Sequence, residues 1–160
     1  MCIRDRPLPG RLISSGESIE QIIAQCQTKY QDILTAETIN YLFSVYGAKA
    51  KNILALIPEN LELATKISSG RLDIRAQIVY AVNNEMAHNL VDILRRRTTL
   101  AMNGNYGMDL LPTITEVLRD YCGWSSEQCD RACQEYRAYM EANCIPDYQL
   151  DSSSSLVANC

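Results

Sequence analysis

The stretch IRAQIVYAVNNEMAHNLVDILRRRTTLAM, residues 74–102, decides the fold of this chain. Its apolar residues recur at the three- and four-residue spacing of an amphipathic helix, and one shift in phase divides them into two runs. The inward positions are Ile74, Ile78, Ala81, Val82 and Glu85 in the first run, then Leu90, Ile93, Leu94 and Arg97 in the second. We therefore predict two helices joined by a bend near Met86–Asn89.

Helical spacing continues on both sides of this stretch. The further predicted helices are one that begins after its cap Ser18, one at 36–46 capped by Thr35, one at 48–57 ended by Pro58, one at 111–121, and one at 126–143 with Ser125 and Gln128 as a capping box. Gly47 falls where a helix prefers a left-handed terminal residue, and Gly123 closes the helix at 111–121. No segment shows a convincing strand pattern, so the sequence predicts an all-α fold, an irregular bundle of about six to seven short helices.

The two ends of the chain do not share this pattern. Residues 1–6 (Met-Cys-Ile-Arg-Asp-Arg) resemble the translated adapter sequence found at broken ends of assembled reads. We therefore exclude them from the fold and expect the true protein to extend upstream of Pro7. Residues 7–17 are predicted to be a linker, 18–148 a helical domain, and 149–160 a disordered serine-rich tail.

Composition limits the possible partners and compartments. The 160 residues carry a net charge of −4, which argues against a nucleic-acid partner because phosphate binding needs an excess of basic side chains. The chain has no run of 18 apolar residues and no signal peptide, so we expect this fragment to be soluble. Seven cysteines without a secretion signal favour a reducing compartment.

The sequence contains no complete active site. It lacks the glycine-rich dinucleotide and phosphate-binding motifs, so we predict no catalytic and no cofactor-binding residues here. His88 is the single histidine and is interpreted as a residue of the helix bend. Cysteines 122, 129, 133 and 144 leave a zinc or iron–sulfur site open as an alternative. Because no C-x-x-C pair occurs and Cys129 and Cys133 share an apolar helix stripe, a core role is favoured and no metal site is predicted.

Three consecutive arginines, Arg95–Arg97, spread over a wide arc of the helix surface. Arg97 is in phase with the apolar stripe, so we expect it to point inward and to pair with Glu85 or Asp92. A structural arginine–carboxylate network is the favoured interpretation. A docking surface for another domain, or an indirect contact to a phosphate, is the alternative.

Several segments together resemble the C-terminal domain of FAD-dependent glycerol-3-phosphate dehydrogenases. The matching segments are Val79-Tyr80-Ala81-Val82-x-x-Glu85, Asp92-x-x-x-Arg96-Arg97-Thr98, Leu8-Pro9-Gly10, Tyr46-Gly47-x-x-Ala50 and Gly123-Trp124. They occur in the family's order from about Pro7 to Tyr148. Each segment alone would be weak, but the ordered series is specific.

The resemblance implies a flavoenzyme that oxidises sn-glycerol 3-phosphate to dihydroxyacetone phosphate and passes electrons to quinone or, in oxidase relatives, to oxygen. It places FAD and substrate in a missing upstream domain, on which this domain is a helical cap without a catalytic centre. The partner is then that FAD-binding domain. The full-length enzyme would lie at the cytoplasmic face of the inner membrane or at the mitochondrial inner membrane.

Glu85, Asp92, Arg96, Arg97 and Thr98 match the motif and are predicted to be structural and docking residues. The alternative hypothesis is a free-standing helical module that binds a protein through its tyrosine-rich or Arg95–Arg97 surface.

Overall fold

The computed structural model describes residues 18–144, which are helical and contain no β-strand within that range. The all-α prediction is thereby confirmed. The chain divides into two compact units, with the boundary after Ala76. The predictions for residues 1–17 and 145–160, namely the adapter-like start, the linker and the tail, lie outside the described residues.

Two helices of similar length open the first unit. Helix α1 (Ile19–Tyr30) begins with a reciprocal capping box between Ser18 and Gln21, and α2 (Ala36–Tyr46) begins with Thr35 as its cap. Both caps satisfy amide groups that have no partner inside the helix. The two helices pack on each other through fully or nearly buried side chains: Ile22, Cys26, Tyr30, Ile39, Leu42 and Phe43.

The third predicted helix, 48–57, is shorter than expected. A single 3₁₀ turn (Gly47–Lys49) leads into α3 (Ala50–Leu54), and the chain then continues in turns. Gly47 has φ 56° and ψ −140°, which is a positive φ but not the left-handed helical conformation that we predicted. The chain leaves α2 in a new direction at this glycine, because only glycine adopts that conformation without steric cost.

The connection that follows carries a buried carboxylate that the sequence analysis did not single out. Asp73 is 3% exposed, and its carboxylate accepts hydrogen bonds from the Tyr41 hydroxyl at 2.7 Å and from Arg71 Nε at 3.3 Å. Lys66 and Ile74 form an isolated antiparallel bridge beside it. A buried charge needs such partners, so this cluster fixes the path of the connection.

The second unit is centred on a helix, a break and a second helical segment. Helix α4 (Arg75–Glu85) crosses the unit boundary and ends before the predicted bend at Met86–Asn89. The segment after the bend is helical from Leu90 and becomes a π-helix at Asp92–Arg97. The bend is confirmed, whereas the second helix is wider than the predicted α-helix.

Two capped helices complete the second unit. Helix α5 (Leu111–Cys122) ends at Gly123 as predicted, and this glycine is left-handed, with φ 71°. Helix α6 (Ser126–Asn143) begins with the predicted capping box of Ser125 and Gln128. The two helices pack on each other, and their buried side chains include Ile114, Val117, Leu118, Cys129, Tyr136 and Met140.

A buried tyrosine ties α6 to the loop before α5. The Tyr136 hydroxyl donates to the Tyr106 carbonyl at 2.7 Å, and burial raises the pKa of Tyr136. Tyr30, Tyr46 and Tyr80 are also buried, whereas Tyr41, Tyr121 and Tyr139 are partly exposed. The hypothesis of a tyrosine-rich binding surface is therefore wrong for the buried members, which belong to the core.

Candidate docking site

The break after α4 is held by a methionine in an unusual conformation. Met86 has φ 57°, which lies in the left-handed region that residues other than glycine rarely adopt. The amide N–H of the next residue, Ala87, donates to the Ala81 carbonyl at 3.1 Å and so closes the end of the helix. The Met86 side chain is 74% exposed, so burial does not explain why methionine stands there.

A reciprocal set of hydrogen bonds starts the next helical segment. The Asn89 side-chain oxygen accepts from the Asp92 amide at 2.8 Å, and Asp92 Oδ2 accepts from the His88 amide at 3.1 Å. Arg96 Nη1 donates to Asp92 Oδ1 at 2.6 Å. Partial burial alone would raise the pKa of Asp92, but the bonds from His88 and Arg96 hold that pKa below its ordinary value.

Thr98 closes the same segment at its other end. Its amide N–H donates to the Ile93 carbonyl at 3.1 Å, and its hydroxyl donates to the same carbonyl at 2.7 Å. The hydroxyl also accepts from the Leu100 amide at 3.4 Å, and the residue is 5% exposed. Thr98 therefore lies inside the unit, and its hydroxyl belongs to the end of the π-helix.

The inward position predicted for Arg97 is wrong. Arg97 is exposed, as are Arg95 and Arg96, and the carboxylate of Asp92 pairs with Arg96. In a π-helix the hydrogen bond runs to the fifth residue along, so Thr98 takes the buried place below Ile93 that Arg97 would hold in an α-helix. Glu85 is partly exposed in the last turn of α4.

The start of this segment lies beside a cleft that sequence analysis did not predict. The cleft has a volume of about 180 Å³ and is partly open to solvent. One wall comes from the bend after α4. The other comes from α6 and from Trp124, which directly precedes the cap residue of α6. The lining residues are His88, Asn89, Trp124, Gln128, Arg131, Ala132 and Glu135. Two separate parts of the chain therefore meet here: the bend after α4 and the residues around the start of α6.

The sequence comparisons show the family to which these segments belong. The family model that describes the C-terminal domain of alpha-glycerophosphate oxidase matches residues 4–129, most of the chain. The chain belongs to this family. The Asp92-x-x-x-Arg96-Arg97-Thr98 motif corresponds to the π-helix (Asp92–Arg97) and to Thr98, the residue that ends it. Trp124 of the Gly-Trp segment lines the cleft.

The relatives that this chain matches are named either as glycerol-3-phosphate dehydrogenases or as alpha-glycerophosphate oxidases. Glycerol-3-phosphate dehydrogenase of Synechocystis sp. is 47% identical over 146 residues, which cover 91% of this chain and 26% of that protein. A glycerol-3-phosphate dehydrogenase of Mycobacterium leprae is 30% identical over 73% of this chain and 20% of that protein. An alpha-glycerophosphate oxidase of Lactococcus lactis is 30% identical over 72% of this chain and 19% of that protein. The chain thus spans about a quarter or less of the length of these relatives, and no solved structure matches it.

The cysteines between residues 18 and 144 differ in their surroundings. Between residues 18 and 144, no group of three or more His, Cys, Asp or Glu side chains is arranged to hold a metal ion. Cys129 is 3% exposed and lies in the core, whereas Cys133 is partly exposed. Burial raises the pKa of the Cys122 thiol to about 11. These surroundings are those of structural cysteines, in which the thiol is less readily ionised.

The helices of the described range were compared with the length and hydropathy that a membrane-spanning helix needs. None of those between residues 18 and 144 is both long and apolar enough to cross a bilayer.

The cleft and Met86 are the features that the sequence analysis missed. The residue types gave no signal, because the half-burial of Trp124 and the exposure of Met86 are seen only in the structure. Nothing in the spacing indicates that Trp124 and His88 are neighbours, because 35 residues separate them in sequence.

Proposed function

We propose that this chain is the C-terminal helical domain of an FAD-dependent glycerol-3-phosphate dehydrogenase. The complete enzyme would oxidise sn-glycerol 3-phosphate to dihydroxyacetone phosphate and pass the electrons to quinone. The family match carries the proposal, and the named dehydrogenase and oxidase relatives support it. The membrane association of such an enzyme would come through the complete polypeptide.

FAD would be bound by the rest of that polypeptide. Dinucleotide cofactors are commonly held by a glycine-rich turn between a strand and a helix. Residues 18–144 contain no strand, and the sequence has no such glycine motif, so these residues do not fit the cofactor. In the proposal the domain has a structural and docking role, and the enzyme's catalytic residues lie elsewhere.

The five motif residues then have distinct parts in docking. Asp92 and Thr98 hold the two ends of the π-helix, so they act on its shape. Arg96 and Arg97 are exposed on it, and Glu85 lies at the end of α4. A π-helix is less stable than an α-helix and is frequently found at functional sites, which favours a role for its exposed side chains.

The test is to sequence the genomic locus upstream of the Pro7 codon and to express the complete reading frame. The expected result is an in-frame flavin-binding domain, a purified protein that retains flavin, and reduction of a soluble quinone that depends on glycerol 3-phosphate. Oxygen consumption measured in parallel distinguishes a dehydrogenase from an oxidase. A stop codon upstream in the intact locus, with no flavin domain, would contradict the proposal and favour a free-standing interaction module.

A further inference from the structure

We propose that the cleft between the bend and α6 is the surface on which this domain docks, and that it receives a loop of the catalytic part carrying main-chain carbonyls and one carboxylate. This inference rests on the proposed function, because it names the docking surface and its occupant. It is argued from the unused hydrogen-bonding groups of the cleft, from its charge, and from Met86.

Several side-chain donors that line the cleft are not used in hydrogen bonds within residues 18–144. The side-chain oxygen of Asn89 accepts from the Asp92 amide, and that of Gln128 accepts from the Ser125 amide at 2.8 Å. Because a backbone N–H can only donate, both amide groups are fixed with oxygen toward the cap and NH₂ left over. Among residues 18–144, no hydrogen-bond partner is found for either NH₂ group or for Nε1 of Trp124.

The charges of the cleft limit the occupant further. Arg131 and Glu135 are exposed, lie four residues apart on α6, and form no ion pair with any residue in the described range. Glu135 would repel a phosphate of nearly two negative charges more strongly than it would repel a single carboxylate. The planar guanidinium of Arg131 suits a single carboxylate, which it can bind with two parallel hydrogen bonds. Carbonyl oxygens of a loop would satisfy the remaining donors.

Met86 is an exposed apolar residue next to the bend that forms one wall of the cleft. It lies two residues before His88, and its thioether side chain is exposed although its backbone adopts a costly conformation. Strained backbone of this kind persists where the surrounding structure or a function requires it. Methionine and tryptophan are both enriched at the centres of protein interfaces. The Synechocystis relative, of which this chain matches 26%, has ample further sequence to supply the occupant.

Oxidative footprinting of the complete polypeptide tests the surface directly. Met86 and Met102 are matched probes in the 160-residue chain, since they are 74% and 72% exposed, and Met102 does not line the cleft. Methionine is oxidised to its sulfoxide in proportion to its accessibility. We expect Met86 to be oxidised about tenfold more slowly in the complete polypeptide than in the 160-residue chain, as for a docked state favoured by about ten to one.

A charge reversal with a matched control tests the occupant. Arg131→Glu should return the oxidation rate of Met86 to that of the 160-residue chain, because the incoming carboxylate would be repelled. Arg119→Glu makes the same charge change at an exposed residue of α5 outside the cleft and should leave the protection intact. Thermal unfolding of both variants, monitored by circular dichroism, verifies that each is folded.

The outcomes separate this inference from the proposed function. Protection of Met86 that Arg131→Glu removes and Arg119→Glu preserves supports the inference. Equal oxidation of Met86 in both proteins overturns the docking surface, while retained flavin and activity would leave the proposed function standing. Protection that survives Arg131→Glu overturns the carboxylate loop as occupant. A complete reading frame without a flavin domain overturns both proposals.

Discussion

Replacing Met86 tests whether the bend after α4 stores backbone strain. Met86 has φ 57°, and its side chain is 74% exposed. Glycine adopts this conformation without the clash between Cβ and the following carbonyl group. We therefore predict that Met86→Gly is more stable than Met86→Ala, which retains Cβ and hence the strain. Comparing these two variants also cancels the small loss of buried methionine surface, because both lack the thioether.

The expected size follows from two opposing contributions. Removing the left-handed strain of a side chain gains roughly 1–2 kcal/mol. The greater freedom of glycine in the unfolded chain costs roughly 0.4–1 kcal/mol. The difference leaves Met86→Gly about 0.8 kcal/mol more stable than Met86→Ala, which corresponds to an unfolding midpoint about 2–3 °C higher for a chain of this length.

Urea unfolding followed by circular dichroism measures this difference, with thermal unfolding as an independent check. The comparison needs equal slopes of free energy against urea for the two variants, so that the shift reports stability alone. If Met86→Gly proves equal to or less stable than Met86→Ala, the bend is not strained at this residue. The argument that links Met86 to docking would then lose its energetic support.

Three further predictions concern the π-helix and the thiols. Thr98→Val should lower the unfolding free energy by about 1–2 kcal/mol, because the buried hydroxyl that bonds to the Ile93 carbonyl is lost. Thr98→Ser retains that hydroxyl and should keep most of the stability. Equal losses for the two variants in urea unfolding would argue against the bond. Asp92→Asn should destabilise the chain at neutral pH. Because the folded pKa of Asp92 is depressed, this difference should begin to shrink as the pH falls to the unfolded pKa of about 4, and it should be lost only below the folded pKa. A stability difference independent of pH would contradict the charge pairing. The alkylation rate of Cys122, measured by site-resolved mass spectrometry, should rise with pH up to about 11 in the folded chain, because burial raises the pKa of its thiol. In the urea-unfolded chain the rate should level off near pH 9. A plateau near pH 9 in the folded chain would show that the thiol is not desolvated.

The helix ends were predictable because their causes are local. Ser18, Thr35 and the Ser125–Gln128 pair each cap the predicted helix with a side chain only three residues from the amide that it bonds. Such bonds form within one turn and depend little on the rest of the molecule. The helices 36–46 and 126–143 accordingly have the predicted bounds, and Gly123 ends α5 as expected.

The third helix and the arginine segment show where local reasoning stops. Residues 48–57 have helical spacing, yet only Ala50–Leu54 form an α-helix after the turn at Gly47. In residues 92–97 the same apolar residues are buried as predicted, but the helix is wider and Arg97 is exposed. An α-helix and a π-helix differ by one residue per hydrogen bond, so a periodicity argument over one turn does not separate them.

The sequence by itself determined the all-α class, the bend near Met86–Asn89, the capped helices and, through its ordered motifs, the family. Tertiary structure alone decided the π-helix and the cleft. The choice of π-helix depends on whether Thr98 or Arg97 is buried beneath Ile93, and burying a threonine whose hydroxyl is bonded costs far less than burying an arginine without a carboxylate. The cleft likewise exists only because α6 brings Trp124 and Arg131 beside His88, a proximity that no local spacing encodes.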